Sequence, residues 1–204
     1  MSLADFHSTV SSNVNKGTLH DAVIPAFVKQ AGRWMERNYS FKYMERFVTF
    51  AIDPTSTYPR SIALPERFKS FNFIRIINAD GSYSILNQVD PEDVISNDQA
   101  TPTGYWLDGL DYIWMDNTPS EIVNLEMSYI QYADWPVSPY IETPWLLENG
   151  EEILLAQTMM LMAPLLREPD LLTLYKAIRD EGLRTLTLAD EELRSSNRNE
   201  VMNG

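Results

Sequence analysis

The hydrophobic residues of this chain keep a helical spacing up to about residue 40. Between Arg46 and Trp135 they switch to the alternation of strands, and after Thr143 the helical spacing returns. A chain that runs helix, then strand, then helix, with no βαβ alternation and no internal repeat, is expected to be α+β. The expected architecture is a helical bundle formed by the N- and C-terminal helices, with a central antiparallel β-meander as an insert. The matching segments are 1–45 for the N-terminal helices, 46–140 for the β-rich insert, 141–195 for the C-terminal helices and 196–204 for a polar, flexible tail.

Local signals set the element boundaries. Ser2 and Asp5 make a Ser-x-x-Asp capping box, and Leu3, Phe6, Val10 and Val14 follow in one apolar stripe. A second helix is predicted from Pro25 to about Tyr39, with Ile24, Phe27, Val28, Ala31, Trp34 and Met35 on one face. Lys29, Arg33, Glu36 and Arg37 take the other. Strands are expected at 47–52, 71–78, 83–87, 104–108, 112–116 and 122–132, with Asp80-Gly81 as a hairpin turn and Asp90-Pro91 opening a short helix. Thr143-Pro144 is read as the start of a helix toward Leu166, which Pro164 should kink or end early. A last helix begins near Pro169 and places Leu171, Leu174, Ile178, Leu186, Ala189 and Leu193 on one stripe. Gly182 inside it suggests a close crossing with another backbone.

Composition narrows the function. The 204 residues contain no cysteine, which excludes disulfides, thiolate nucleophiles and Cys-based zinc sites and fits a reducing cytoplasm. The first 30 residues show no basic stretch followed by an apolar run, and about 18 consecutive apolar residues occur nowhere, so neither a secretory leader nor a membrane span is expected. The net charge of −13 is uneven. Residues 1–60 hold 7 Lys/Arg against 5 Asp/Glu, residues 61–140 hold 3 against 12, and residues 141–204 hold 6 against 12. Such a surface repels phosphate, which disfavours nucleic-acid binding driven by counterion release.

Catalytic signals are sparse. The two histidines, His7 and His20, have no partner at useful spacing and read as partly exposed polar residues. No phosphate-cradling, dinucleotide, nucleophile-elbow or zinc-protease motif occurs. Carboxylates remain: Asp90, Glu92, Asp93 and Asp98 around the short helix, Asp108, Asp111 and Asp116 in a hairpin, and Glu151 with Glu152 at a helix start. Helix N-termini and turns favour acidic residues for structural reasons. An enzyme, a cofactor and a metal site are therefore not expected. The aromatics Tyr105, Trp106, Tyr112, Trp114, Tyr129 and Tyr132, continuing to Trp135, Tyr140 and Trp145, suit a core, a subunit interface or ligand stacking.

Three stretches carry a family resemblance. Ile24-Pro25-Ala26-Phe27-Val28-Lys29-Gln30-Ala31, continuing to Arg37, resembles the first long helix of the head-to-tail adaptor proteins of tailed phages. Ile62-Ala63-Leu64-Pro65-Glu66-Arg67-Phe68 is similar to that family's Leu-Pro-x-x-Phe segment, and Thr101-Pro102-Thr103-Gly104-Tyr105-Trp106 with Thr118-Pro119 and residues 125–132 to its sheet. Trp145-Leu146-Leu147-Glu148-Asn149 before an apolar helix is the most specific of the three. The chain departs from the pattern at Gly32, where an acidic residue is expected, and in the acidity of its insert.

The resemblance implies a structural ring in the virion neck, typically of twelve copies, docked beneath the portal protein, meeting tail or nozzle proteins and letting DNA pass without specific binding. No catalytic residue is carried over. Carboxylates on the last helix, Asp180, Glu181, Asp190, Glu191 and Glu192, are the expected channel lining. Trp145, Leu146 and Leu147 are the expected structural anchor or partner contact, and the polar tail is a segment that orders on a neighbour. A tail-associated carboxylate hydrolase and a sugar-binding β-module are the competing readings.

Overall fold

Ser2 and Asp5 close the expected capping box: the Asp5 N–H donates to Ser2 Oγ at 3.1 Å and the Ser2 N–H to Asp5 Oδ2 at 3.2 Å. The computed structural model describes residues 2–14, 20–78, 80–94, 100–109, 111–132 and 145–202. The chain is a mixed α+β protein that divides into two compact units, one of residues 1–43 with 133–204 and one of residues 44–132.

The first unit is helical: α1 (Leu3–Val14), α2 (Ile24–Asn38), α3 (Trp145–Asn149), α4 (Glu151–Leu166) and α5 (Pro169–Met202). Leu3, Phe6, Val10 and Val14 of α1 are buried, as their spacing predicts. Pro25 sits in the first turn of α2, and Ile24, Val28, Ala31 and Met35 are buried. Glu36 departs from the expected polar face and is only 2% exposed. One residue of helix advances the side chain by about 100°, which sets Glu36 in the i+4 row of the buried Gly32 rather than with Arg33 and Arg37.

The helix expected to run from Thr143 is broken at Gly150, whose N–H ends α3 on Leu146 O and whose carbonyl receives the Leu154 N–H of α4. Thr143 and Pro144 lie outside the described residues. α4 is apolar all round, with Leu154, Ala156, Met159 and Met162 buried, as befits the central helix between α2 and α5. Pro164 falls in its last turn and has no N–H to give the Met160 carbonyl, and the helix ends two residues later. The helix ends at Leu166 with Arg167 left-handed at φ 57° and the Glu168 N–H on Ala163 O.

α5 has 34 residues, about 50 Å of helix, and continues past Ser195 into the stretch expected as a tail. Its buried face is formed by Leu183, Leu186 and Asp190; of the expected stripe Leu186 is buried, whereas Leu174, Ile178 and Leu193 are exposed. Gly182 does mark a close crossing. A Cβ there would lie 2.7 Å from Ile153 Cγ1, so α4 meets α5 through a side chain rather than through backbone.

The second unit is two four-stranded sheets, built from β1 (Glu45–Ile52), β2 (Ser61–Ala63), β3 (Phe68–Ile77), β4 (Tyr83–Ile85), β5 (Asn87–Gln88), β6 (Gly104–Asp108), β7 (Tyr112–Met115) and β8 (Val123–Gln131). Their orders are β1-β8-β3-β4 and β2-β7-β6-β5. The expected strands are present, but the simple meander is corrected. β8 returns between β1 and β3, and residues 127–130 are buried without alternation, as a strand covered on both faces must be. The segment read as one strand at 83–87 changes sheets: the Leu86 N–H bonds to Ile74 O and the Asn87 N–H to Thr103 O, and β5 then pairs with β6 in parallel. The short β2 was not expected. The Asp80-Gly81 turn is present, with Gly81 at φ 82° and Asp80 Oδ1 accepting from Ser82 N and Oγ. The inner faces of both sheets share one core, in which Ile74, Ile76, Leu125 and Met127 meet Tyr105, Ile113 and Met115.

Candidate functional site

The acids of α5 separate by helical phase. Asp180 and Glu191 lie eleven residues apart, about three turns, and so share one file on the solvent side; Glu181 and Glu192 share the next. Asp180 accepts from Arg179 at 2.6 Å, and Arg184 grips Glu181 at 2.7 Å. The hydrogen bonds from Arg184, and then its charge, hold the Glu181 carboxyl below its ordinary range.

Asp190 is corrected as a lining residue. It is 6% exposed, faces inward with Leu183 and Leu186, and accepts the Lys42 backbone N–H at 2.5 Å and Arg194 Nε at 2.6 Å. Arg194 also reaches Ser40 O at 3.2 Å, and Lys42 Nζ reaches Leu193 O at 3.2 Å. Asp190 thus fastens the chain after α2 onto α5, a contact across 148 residues that no local spacing announces.

Ile178 and Ala189 of the α5 stripe, with the buried Leu186, line a groove of about 750 Å³. Its floor is Ile153, Ile178, Gly182 and Leu186, and its rim carries four carboxylates, Glu148, Glu151, Glu152 and Glu181. Gly182 lets Ile153 of α4 lie close against α5 in this floor. Sequence reasoning missed this groove because the stripe was read as core-facing; the signal for it was the run of three glutamates around Gly150, between two short apolar blocks.

Leu146 and Leu147 are buried, as an anchor requires. Trp145 is half-buried, with its ring stacked on Tyr43 at 6.0 Å and tilted on Phe41 at 5.5 Å. Its Nε1–H is buried and meets no acceptor among the described residues. Trp145→Ala is expected to cost about 3 kcal/mol of stability, and Trp145→Phe markedly less, because phenylalanine keeps most of the ring contact and removes the orphaned donor. Thermal unfolding of the two variants followed by circular dichroism checks this; equal loss in both would mean that the indole N–H is satisfied.

The remaining candidates are dispersed. Burial pushes the His7 imidazole below its ordinary value, and His20 opens the turn before α2. Asp90 Oδ1 caps the short helix at the Glu92 N–H, and Asp116 accepts from Thr103 N at 3.0 Å and Thr103 Oγ1 at 2.7 Å. Asp108 and Asp111 are exposed, and Asp98 lies outside the described residues. Among the described residues no group of three or more His, Asp or Glu is placed to hold a metal ion. No helix among them is long and apolar enough to cross a membrane.

The aromatic cluster divides between core and surface. Tyr105 and Tyr129 are buried in the core of the sheets, and Trp106 and Trp114 stack at 6.4 Å on the opposite face of their sheet, with Arg60 over Trp106. Trp135 and Tyr140 lie outside the described residues. No protein-family model matches the chain, and no curated protein matches it in sequence.

Proposed function

We propose that the chain is a structural subunit of a tailed-phage neck, assembled as a ring beneath the portal and joining head to tail. The observation that carries this reading is the architecture. N- and C-terminal helices come together in one unit, the two-sheet segment lies between them in sequence as a unit of its own, and the Trp145–Asn149 helix precedes the apolar α4, the order in which the resembling adaptors place their segments. The acidic outer side of α5 suits a wall along which phosphate passes without sticking. A groove whose rim carries Glu148, Glu151 and Glu152 without partners among the described residues suits a protein that works through contacts with other chains rather than through bound reactants.

The chain alone is expected to be monomeric or weakly associated, since no long heptad or extended apolar run marks an obligate self-interface. Light scattering of the purified chain, alone and with portal rings, tests the reading. Ring-sized complexes that form only with portal are the expected result. A stable dimer without affinity for portal would overturn it.

A further inference from the structure

The groove between α5 and the start of α4 is an apolar floor with a negative rim. Glu148, Glu151 and Glu152 make no hydrogen bond or ion pair among the described residues. α2 carries the complementary surface. Lys29, Arg33 and Arg37 stand at i, i+4 and i+8, a helix ridge about 12 Å long that, with Ala26, Gln30 and Trp34, borders a hollow of about 370 Å³ against Leu161 of α4. These three cations likewise have no partner among the described residues, although they share one helix face with no carboxylate. The groove supplies three free carboxylates where the ridge supplies three free cations, and both belong to the helical unit.

We propose that the α2 ridge of one copy seats in the α4–α5 groove of the next. The contact is head-to-tail, because the two surfaces differ, and such contacts repeat into rings when the rotation closes. Ile178, 38% exposed on the groove wall, is covered by the incoming helix. The salt-sensitive, exposed rim keeps the contact weak in the free chain and strong only when copies are held side by side. The proposal deepens the ring reading above, but the pairwise contact itself needs no portal.

The absence of cysteine allows a direct test. Gln30→Cys on the ridge and Thr185→Cys in the groove, placed together in the full chain, leave every charge in place. Mild oxidation in about 0.05 M salt is expected to give a ladder of disulfide-linked copies, formed at least ~10-fold more slowly in about 0.5 M salt. In that background, reversing the ridge (Arg33→Glu with Arg37→Glu) or the rim (Glu148→Lys with Glu152→Lys) is expected to slow crosslinking ~10-fold. Mixing the two reversed proteins restores it, because each surface then meets its opposite. Folding of each variant is checked by its melting temperature. A ladder no faster than that of a control pair with Thr49→Cys in place of Gln30→Cys would overturn the proposal. So would products joined only groove to groove, or a mixture that fails to recover. A ladder without portal binding keeps the contact and removes the neck reading; portal-bound rings that do not crosslink at these positions do the reverse.

Discussion

Charge reversal at Asp190 is expected to destabilise the helical unit strongly, whereas the same change at Glu191 or Glu192 leaves its stability nearly unaltered. The three acids are consecutive in sequence, yet only Asp190 turns inward. Its two oxygens take the Lys42 N–H and the Arg194 guanidinium, so Asp190→Lys removes two charge-assisted hydrogen bonds, leaves a backbone donor without its partner and sets an ammonium against Arg194. The loss should be about 4 to 5 kcal/mol, a large share of a typical domain stability of 5–15 kcal/mol. Asp190→Asn keeps an acceptor for Lys42 but gives up the ion pair, for a loss of about 1 to 2 kcal/mol. At about 2–4 °C per kcal/mol for a chain of this size, the first change lowers the melting temperature by roughly 10 °C or more and the second by a few degrees. Melting of Asp190→Lys within a degree or two of the parent would show that the carboxylate is solvated and return it to the outer wall.

Asp190 also marks where sequence reading stops. Local chemistry was legible: the Ser2–Asp5 box, the Asp80-Gly81 turn, the Asp90 cap and the β6 strand all follow from residues within a few positions of one another. What depends on distant partners was not. The α5 stripe is right at Leu186 but not at Leu174, Ile178 and Leu193, since the side of α5 that is buried is decided by where Gly182 lets α4 approach. The position of β8 between β1 and β3 is a choice among strands with similar alternation, and the change of sheet at Leu86 is set by Thr103 and Ile74, neither of them a neighbour in sequence. For the candidate site, the acids of α5 were visible as charges, and their division into one inward residue and two outward files required the helix to be placed against its partners.

That division sharpens what charge should do in an assembled ring. Under the neck reading, with Asp190 committed to folding and Glu181 on the groove rim, the acids left to face a channel are Glu191, Glu192 and Asp180, the last already paired with Arg179. All three are exposed, and repetition around an axis multiplies their field. Under the neck reading, rings assembled on portal should show no measurable affinity for duplex DNA even in about 0.05 M salt, where phosphate contacts are strongest. Changing the three to lysine alters the charge by about six units per copy without touching the Asp190 clamp or the α2 ridge, so the ring should still assemble. It should then bind DNA, and if about six phosphates are neutralised the affinity should fall roughly 10³-fold between about 0.05 and 0.2 M salt as counterions return. Genome release through such rings should slow for the same reason, because each repeat now holds the phosphates that the parent repels. Fluorescence anisotropy of labelled duplex against assembled rings, across a salt series, reads the equilibrium part directly. Salt-sensitive DNA binding by the parent ring, or no gain in the lysine variant despite intact assembly, would place these acids on the outer wall and leave the channel lining to other residues.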